Sequence, residues 1–275
     1  MRDGTDSLRV GLAGFGQSGR AVAEALVAGK VPGVALSVVS ARDLEKARAH
    51  LDTFAPEVPV VPLAQLADHC DLVVEAATGA AIPEIVDAVT RKGRELICVS
   101  AGGFLAVPDL EELARCHGAR VQIATGAMPG LDMLRSAAEG TIHRVHLKCR
   151  IKPGSLANEA YVLQQGLDFR NDPPREQVKV FEGTAADAAR AFPRHLNVAV
   201  AISLAGIGFE RTTIELWMDP DIPGAIHQLE IEGDEIGLSL ESRNLPSSNP
   251  KTSRIVAPSI LAALRGRLAP ILVGS

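Results

Sequence analysis

Near the start of the chain, Gly14-Phe15-Gly16-Gln17-Ser18-Gly19 fits G-x-G-x-x-G and follows directly on a short apolar run, Leu8 to Ala13. The first glycine permits a tight turn, the second lets backbone approach a pyrophosphate, and the third allows close packing of helix on strand. The pyrophosphate then rests on the N–H groups and the positive dipole end of the following helix. Gly-rich turns are common, so the hexapeptide counts only between a strand and a helix. Both are expected here, because Arg20 to Ala28 gathers Ala21, Val22, Ala25, Leu26 and Ala28 toward one helical face.

The alternation continues. Val34 to Ser40, Leu72 to Glu75, Glu95 to Ser100 and Arg120 to Ala124 read as strands. Asp43 to Leu51 reads as a helix capped by Asp43, and Pro83 to Thr90 and Pro108 to Cys116 as helices opening on proline. Strand and helix in turn predict a parallel sheet covered on both faces. After Gly126 the pattern changes. Thr141 to Ile151 alternates polar and apolar residues, as a sheet with one solvated face should. Lys152 to Glu176 is a polar connection with one short helix. Thr184 to Arg190 and Leu196 to Ala205 are helical, the second buried. Thr212 to Met218, Ala225 to Glu232 and Glu235 to Ser242 read as antiparallel strands, with Gly233-Asp234 turning between the last two. Ser253 to Leu268 is a final helix that Pro258 either kinks or delays.

The fold class is therefore α/β: a Rossmann-type doubly wound parallel sheet over 1–126 and a second α+β domain with a mainly antiparallel sheet over 127–250. The C-terminal helix within 251–275 is expected to pack back on the first domain. A length of 275 residues suits one large domain or two modest ones at roughly 150 residues each. With 28 Lys+Arg against 33 Asp+Glu the net charge is −5, which argues against nucleic acid as the main partner. No apolar stretch approaches the roughly 18 residues that span a bilayer. Met1 to Ser7 is polar and carries Asp3 and Asp6, unlike a secretory leader. Cys70, Cys98, Cys116 and Cys149 form no C-x-x-C pair and read as reduced thiols. A cytoplasmic protein is expected.

An acidic residue at the end of the second strand would hold the ribose hydroxyls of NAD. This chain has Ser40-Ala41-Arg42 there, and a guanidinium suits the 2′-phosphate of NADP, so NADP is favoured over NAD. Of the seven histidines, His50, His69 and His117 lie on or beside surface-type helical segments and are expected to be solvated. His143 and His146 are an odd number apart on a strand and make a poor metal pair; no metal is expected. His195 precedes a buried helix. His227 follows Asp219-Pro220-Asp221-Ile222-Pro223-Gly224 and could exchange a proton near pH 7, one candidate among seven. Ser248 to Ser253 is dense in donors ahead of a helix, so Lys251, Thr252 and Ser253 could receive a carboxylate or phosphate. Ser100-Ala101-Gly102-Gly103 and Thr125-Gly126-Ala127 follow strands at the edge where open α/β sheets bind ligands.

The run from Phe181 to Val200 resembles the L-aspartate dehydrogenase family. So do Asp219-Pro220 followed by His227, Asn249 to Ser253, and Gly126 to Asp132. The resemblance extends through nearly the whole chain, and its second-half motifs are the specific ones. It implies an NAD(P)-dependent enzyme interconverting L-aspartate with iminosuccinate, and hence with oxaloacetate plus ammonia. It also implies that His227 is the catalytic acid/base, that Ala127 and Asn197 lie against the nicotinamide, and that the protein is a homodimer. The chain departs from the family where a Gly-Gly pair is replaced by Pro129-Gly130, and where an Arg-Lys-Pro-Pro stretch is replaced by Arg150-Ile151-Lys152-Pro153-Gly154. Both departures bear on which small dicarboxylic amino acid or 2-oxo acid is the substrate. Two other readings stay open: a dehydrogenase or imine reductase on another amino or 2-oxo acid, and a non-catalytic NAD(P)-sensing protein.

Overall fold

A computed structural model describes residues 7–128, 130–192, 197–245 and 253–274. The described residues form two compact units, those within 1–124 and 256–272 and those within 125–255 and 273–275. The first is the α/β unit. Its elements are β1 (Leu8–Ala13), α1 (Gln17–Val27), β2 (Val34–Ser40), α2 (Leu44–Leu51), α3 (Leu63–Leu66), β3 (Leu72–Glu75), α4 (Ile82–Thr90), β4 (Glu95–Cys98), α5 (Leu110–Cys116) and β5 (Arg120–Ile123). The strands form one parallel sheet in the order β2-β1-β3-β4-β5. Successive residues Val10 to Ala13 and Leu72 to Glu75 are all buried, so both faces are covered, and the β-branched runs sit where burial favours them. Asp43 caps α2, its carboxylate accepting from the Lys46 N–H at 2.9 Å.

The second unit holds α6 (Leu131–Ala137), β6 (Ile142–Ile151), α7 (Ala160–Gln164), β7 (Val178–Thr184), α8 (Ala185–Ala191), α9 (Asn197–Ala205), β8 (Thr212–Met218), β9 (Ile226–Gly233) and β10 (Gly237–Arg243). The sheet order is β10-β9-β6-β8-β7. It is mainly antiparallel, with one correction to the expectation: β8 runs parallel to β6 and antiparallel to β7. A parallel pair needs a long crossover, and the segment holding α7 to α9 supplies it. Val145, Leu147, Ile214, Leu216, Leu229 and Ile231 point to the core, while Arg144, Lys148, Glu215, Trp217 and Glu230 line the outer face. There the Arg144 guanidinium pairs with Glu230 and Glu232, and the Lys148 ammonium lies 4.6 Å from the Trp217 ring centre. The last helix, α10 (Val256–Leu268), returns to the first unit. There Ile260 and Leu264 are fully buried, and the helix packs beside α1. Its start at Val256 leaves Pro258 in the first turn, where a missing N–H costs nothing, so delay rather than a kink accommodates the proline.

Candidate active site

Between β1 and α1 the glycine loop is built as its three glycines require. Gly14 has φ +106°, and a Cβ there would lie 2.6 Å from the Ala76 carbonyl and the Ala77 nitrogen. A Cβ on Gly19 would fall on the Gly14 carbonyl oxygen. Both are therefore fixed by packing. Gly16 is different: it is the N-cap of α1, φ −76°, and a Cβ there would meet none of the described residues within 4 Å. Among the described residues no side chain caps α1, and no acidic residue occupies its first turn, so the positive end of its dipole suits an anion. Gln17 is exposed and Ser18 half-buried on that turn. Open space over Gly16 and an uncapped helix start fit the pyrophosphate of a dinucleotide.

At the end of β2 the two candidate selectivity residues part company. Ser40 is buried, and its carbonyl accepts the Gly14 N–H at 2.8 Å. Arg42 is exposed just beyond the strand. Contrary to expectation, His50 is not simply solvated. Its ring stands edge-on between Phe15 and Phe54, 5.8 Å from each, which ties the glycine loop to α2. His69 and His117 are exposed.

In the second unit His227 opens β9 on the buried side of the sheet, 8% exposed. Its cross-strand neighbour is Cys149 on β6, and the imidazole Nδ1 lies 3.3 Å from that Sγ. Both border a cavity of about 60 Å³ walled by Leu156, Phe181, Phe192 and Leu216. Burial lowers the His227 pKa to about 4 and pushes the Cys149 thiol up to about 12. A neutral imidazole thus meets a neutral thiol, and the ring can take up a proton without first losing one. Close by in the chain, Asp219 is buried, accepts the Asp221 N–H at 3.0 Å and pairs with Arg150 at 3.4 Å.

The remaining candidates are scattered. Ala127 is half-buried after β5, its carbonyl taking the Ser242 hydroxyl at 2.7 Å. Asn197 is exposed at the first turn of α9, next to Val198 and Ala199 of the cavity wall. Ser253 donates its hydroxyl to the Asn244 side-chain oxygen at 2.7 Å. Lys251 and Thr252, like His195, lie outside the described residues. Among the described residues no three His, Cys, Asp or Glu side chains gather as metal ligands, and no helix is long and apolar enough to cross a membrane. Sequence reasoning missed Cys149 as the partner of His227, and it missed Glu75. The latter is a fully buried carboxylate at the end of β3 whose signal is an acid closing the apolar run Leu72-Val73-Val74.

The His227 environment has a measurable consequence. Its folded pKa, about 4, lies below the ordinary 6.5, so below pH 6.5 the unfolded chain binds a proton that the folded chain refuses. Stability from this group is complete above 6.5 and is lost as pH falls toward 4, by about 3 kcal/mol at 1.36 kcal/mol per unit. Urea melts from pH 7 to 4 should show the wild type losing about that much more than His227→Gln. Equal losses would mean that the imidazole is not held neutral.

Comparison with known proteins places this geometry in context. Residues 132–267 match the family described as "Aspartate dehydrogenase, C-terminal", and residues 14–124 match "Homoserine dehydrogenase, NAD binding domain". The chain is 41% identical to an L-aspartate dehydrogenase of Bradyrhizobium diazoefficiens, covering 100% of this chain and 98% of that one. It is 39% identical to L-aspartate dehydrogenase 3 of Bordetella bronchiseptica, over 98% of each. A crystal structure of aspartate dehydrogenase from Thermotoga maritima superposes with a TM-score of 0.73 over 97% of this chain and 99% of that one, at 24% identity, a likeness of fold.

Proposed function

The chain belongs to the L-aspartate dehydrogenase family, and from that premise we propose that it interconverts L-aspartate with iminosuccinate, and so with oxaloacetate plus ammonia. It is an NAD(P)-dependent amino-acid dehydrogenase. The observation that best supports the aspartate reading is the full-length 41% identity to an enzyme of that name. A nicotinamide coenzyme would rest on Gly14, Gly16, Gln17, Ser18 and Gly19 of the glycine loop and would supply the acceptor for the hydride that leaves the substrate Cα. Ala127 and Asn197 would hold its nicotinamide end, and Lys251, Thr252 and Ser253 would receive the substrate carboxylates. His227 takes the proton that the amine releases as the C=N bond forms. It then assists water onto the imine carbon, from which ammonium leaves. Negative charge brought by a dicarboxylate favours the imidazolium, so substrate raises the His227 pKa from its low resting value. Reductive amination runs the same proton transfers in reverse.

NADP is the favoured coenzyme, because Arg42 is the exposed group at the end of β2 while Asp43 is committed to capping α2. The outer face of the second sheet, with Lys148 and Trp217, carries the pairing of a cytoplasmic homodimer, which light scattering should register as twice 28.9 kDa.

The deciding assay follows NADPH and NADH absorbance with oxaloacetate plus ammonium. Ammonium-dependent oxidation is expected; oxidation indifferent to ammonium would mean ketone reduction instead. No turnover with oxaloacetate, despite coenzyme binding, would move the substrate to another 2-oxo acid. Arg42→Ala should cost about tenfold in kcat/KM with NADPH, the worth of one charge-assisted phosphate contact, and leave NADH unchanged. An equal loss with both coenzymes would remove Arg42 from 2′-phosphate recognition.

A further inference from the structure

The carboxylate of Glu75 is fully buried at the end of β3, and no basic side chain among the described residues pairs with it. Three backbone N–H groups and one thiol satisfy it instead. One oxygen accepts the Ala77 N–H at 2.7 Å. The other accepts the N–H groups of Val99 and Ser100, at 3.0 and 2.9 Å, and the Cys98 thiol at 3.0 Å. A single side chain thus joins the chain leaving β3 to the chain leaving β4, between strands that pair only through Leu72 to Val74. A buried carboxylate is costly to desolvate, and an apolar residue would close the same sheet at less expense.

What these two segments support is the second observation. The Ala76–Ala77 peptide is the surface against which Gly14 packs, near enough to forbid a Cβ on that glycine. Further along, Gly103 packs on the Gly79 carbonyl so closely that a Cβ would overlap it, and the Gly103 N–H bonds back to the Ser100 carbonyl at 2.9 Å. The sheet order β2-β1-β3-β4-β5 reverses direction between β1 and β3, and in open α/β sheets that switch point is where the ligand crevice lies. Ala76 to Gly79 and Val99 to Gly103 are thus two walls of that crevice, and Ala76–Ala77 backs the phosphate loop itself.

We propose that Glu75 is a positioning residue for the coenzyme: its carboxylate clasps the segments after β3 and β4 and so holds the glycine loop and the adjoining crevice wall in their binding geometry. The proposal rests on coenzyme binding at the glycine loop. Glu75→Gln keeps the shape but turns an NH2 group toward backbone N–H donors, which undoes half the clasp. Glu75→Asp keeps the charge and withdraws it by one methylene.

Hydrogen exchange of the coenzyme-free protein, with fluorescence titration of NADPH and NADH, tests it. Titration of the wild type comes first: if it bound neither coenzyme, the premise would fail rather than the role of Glu75. Glu75→Gln is expected to speed amide exchange in 76–79 and 99–103, to raise the dissociation constant of the better coenzyme about tenfold, and to leave kcat at saturating coenzyme within about threefold. Glu75→Asp should fall between, and it carries the same readouts if the glutamine variant does not fold. Lowered thermal stability with unchanged coenzyme affinity would overturn the proposal and leave Glu75 a purely structural acid. So would equal losses in affinity and kcat, because a positioning residue in the coenzyme site splits them.

Discussion

Replacing His227 by alanine should lower turnover by roughly 10²–10⁴-fold, the range expected when a positioned acid/base is lost, while coenzyme affinity stays near normal. The separation follows from where the groups sit. The glycine loop belongs to the first unit, whereas His227 is on β9 of the second. Alanine also empties volume beside an existing cavity of about 60 Å³, and a large-to-small change in a core costs roughly 2–5 kcal/mol. His227→Gln and His227→Asn fill more of that space and should lose turnover equally with less loss of stability. The pH profile is the sharper readout: the limb assigned to the imidazole in the enzyme–substrate complex should vanish in every variant. Full turnover in His227→Gln would remove the residue from the mechanism and leave its burial beside Cys149 as packing alone.

The first unit was legible because its signals are local. Apolar, β-branched runs such as Val34 to Ser40 can only be strands when helices cover both faces of the sheet, and the three glycines fall between a strand and a helix. The second unit was harder, and each miss has a physical cause. β7 escaped notice because its register slips between Lys179 and Phe181, which sets Val180 beside Phe181 and breaks the alternation that marks a strand. α6 has seven residues, of which only Leu134 and Ala137 are buried, too little for a helical stripe. The parallel pairing of β6 with β8 was implicit in the long connection between them, but period-2 patterning carries no direction. His50 sits on a polar helix and looks solvated, and only folding brings Phe15 and Phe54 to its ring. Candidate site residues separate in the same way. The glycine motif is read from spacing, while His227 stood out among seven histidines only through family resemblance. Cys149 and Glu75 needed the register of neighbouring strands to become visible.

Gly16→Asp should abolish coenzyme binding in a protein that folds at least as well as the wild type. Substitutions usually confound these two effects in a glycine loop, and the three glycines here differ enough to separate them. Gly14 has φ +106° and backbone of Ala76 and Ala77 at 2.6 Å from any Cβ, so Gly14→Ala combines strain with overlap. A residue held in such a conformation costs of order 1–3 kcal/mol before the clash is counted. Gly19 is blocked by the Gly14 carbonyl oxygen. Substitution at either position damages the fold, and lost activity would then say little about phosphate. Gly16 has an ordinary φ and none of the described residues within 4 Å of its would-be Cβ. Aspartate is among the better N-cap residues, and its charge complements the helix dipole, so stability should hold or rise by up to about 1 kcal/mol. The same carboxylate would stand where the pyrophosphate must approach. Like charges about 4 Å apart repel by roughly 1 kcal/mol in water and roughly 4 kcal/mol near a protein surface. Two phosphate charges therefore predict a loss of coenzyme affinity of about a hundredfold or more. Thermal melts beside NADPH and NADH titrations would decide the matter. A Gly16→Asp variant with raised stability and undiminished affinity would show that the coenzyme phosphates do not rest on the start of α1, and the open space over Gly16 would then need another occupant.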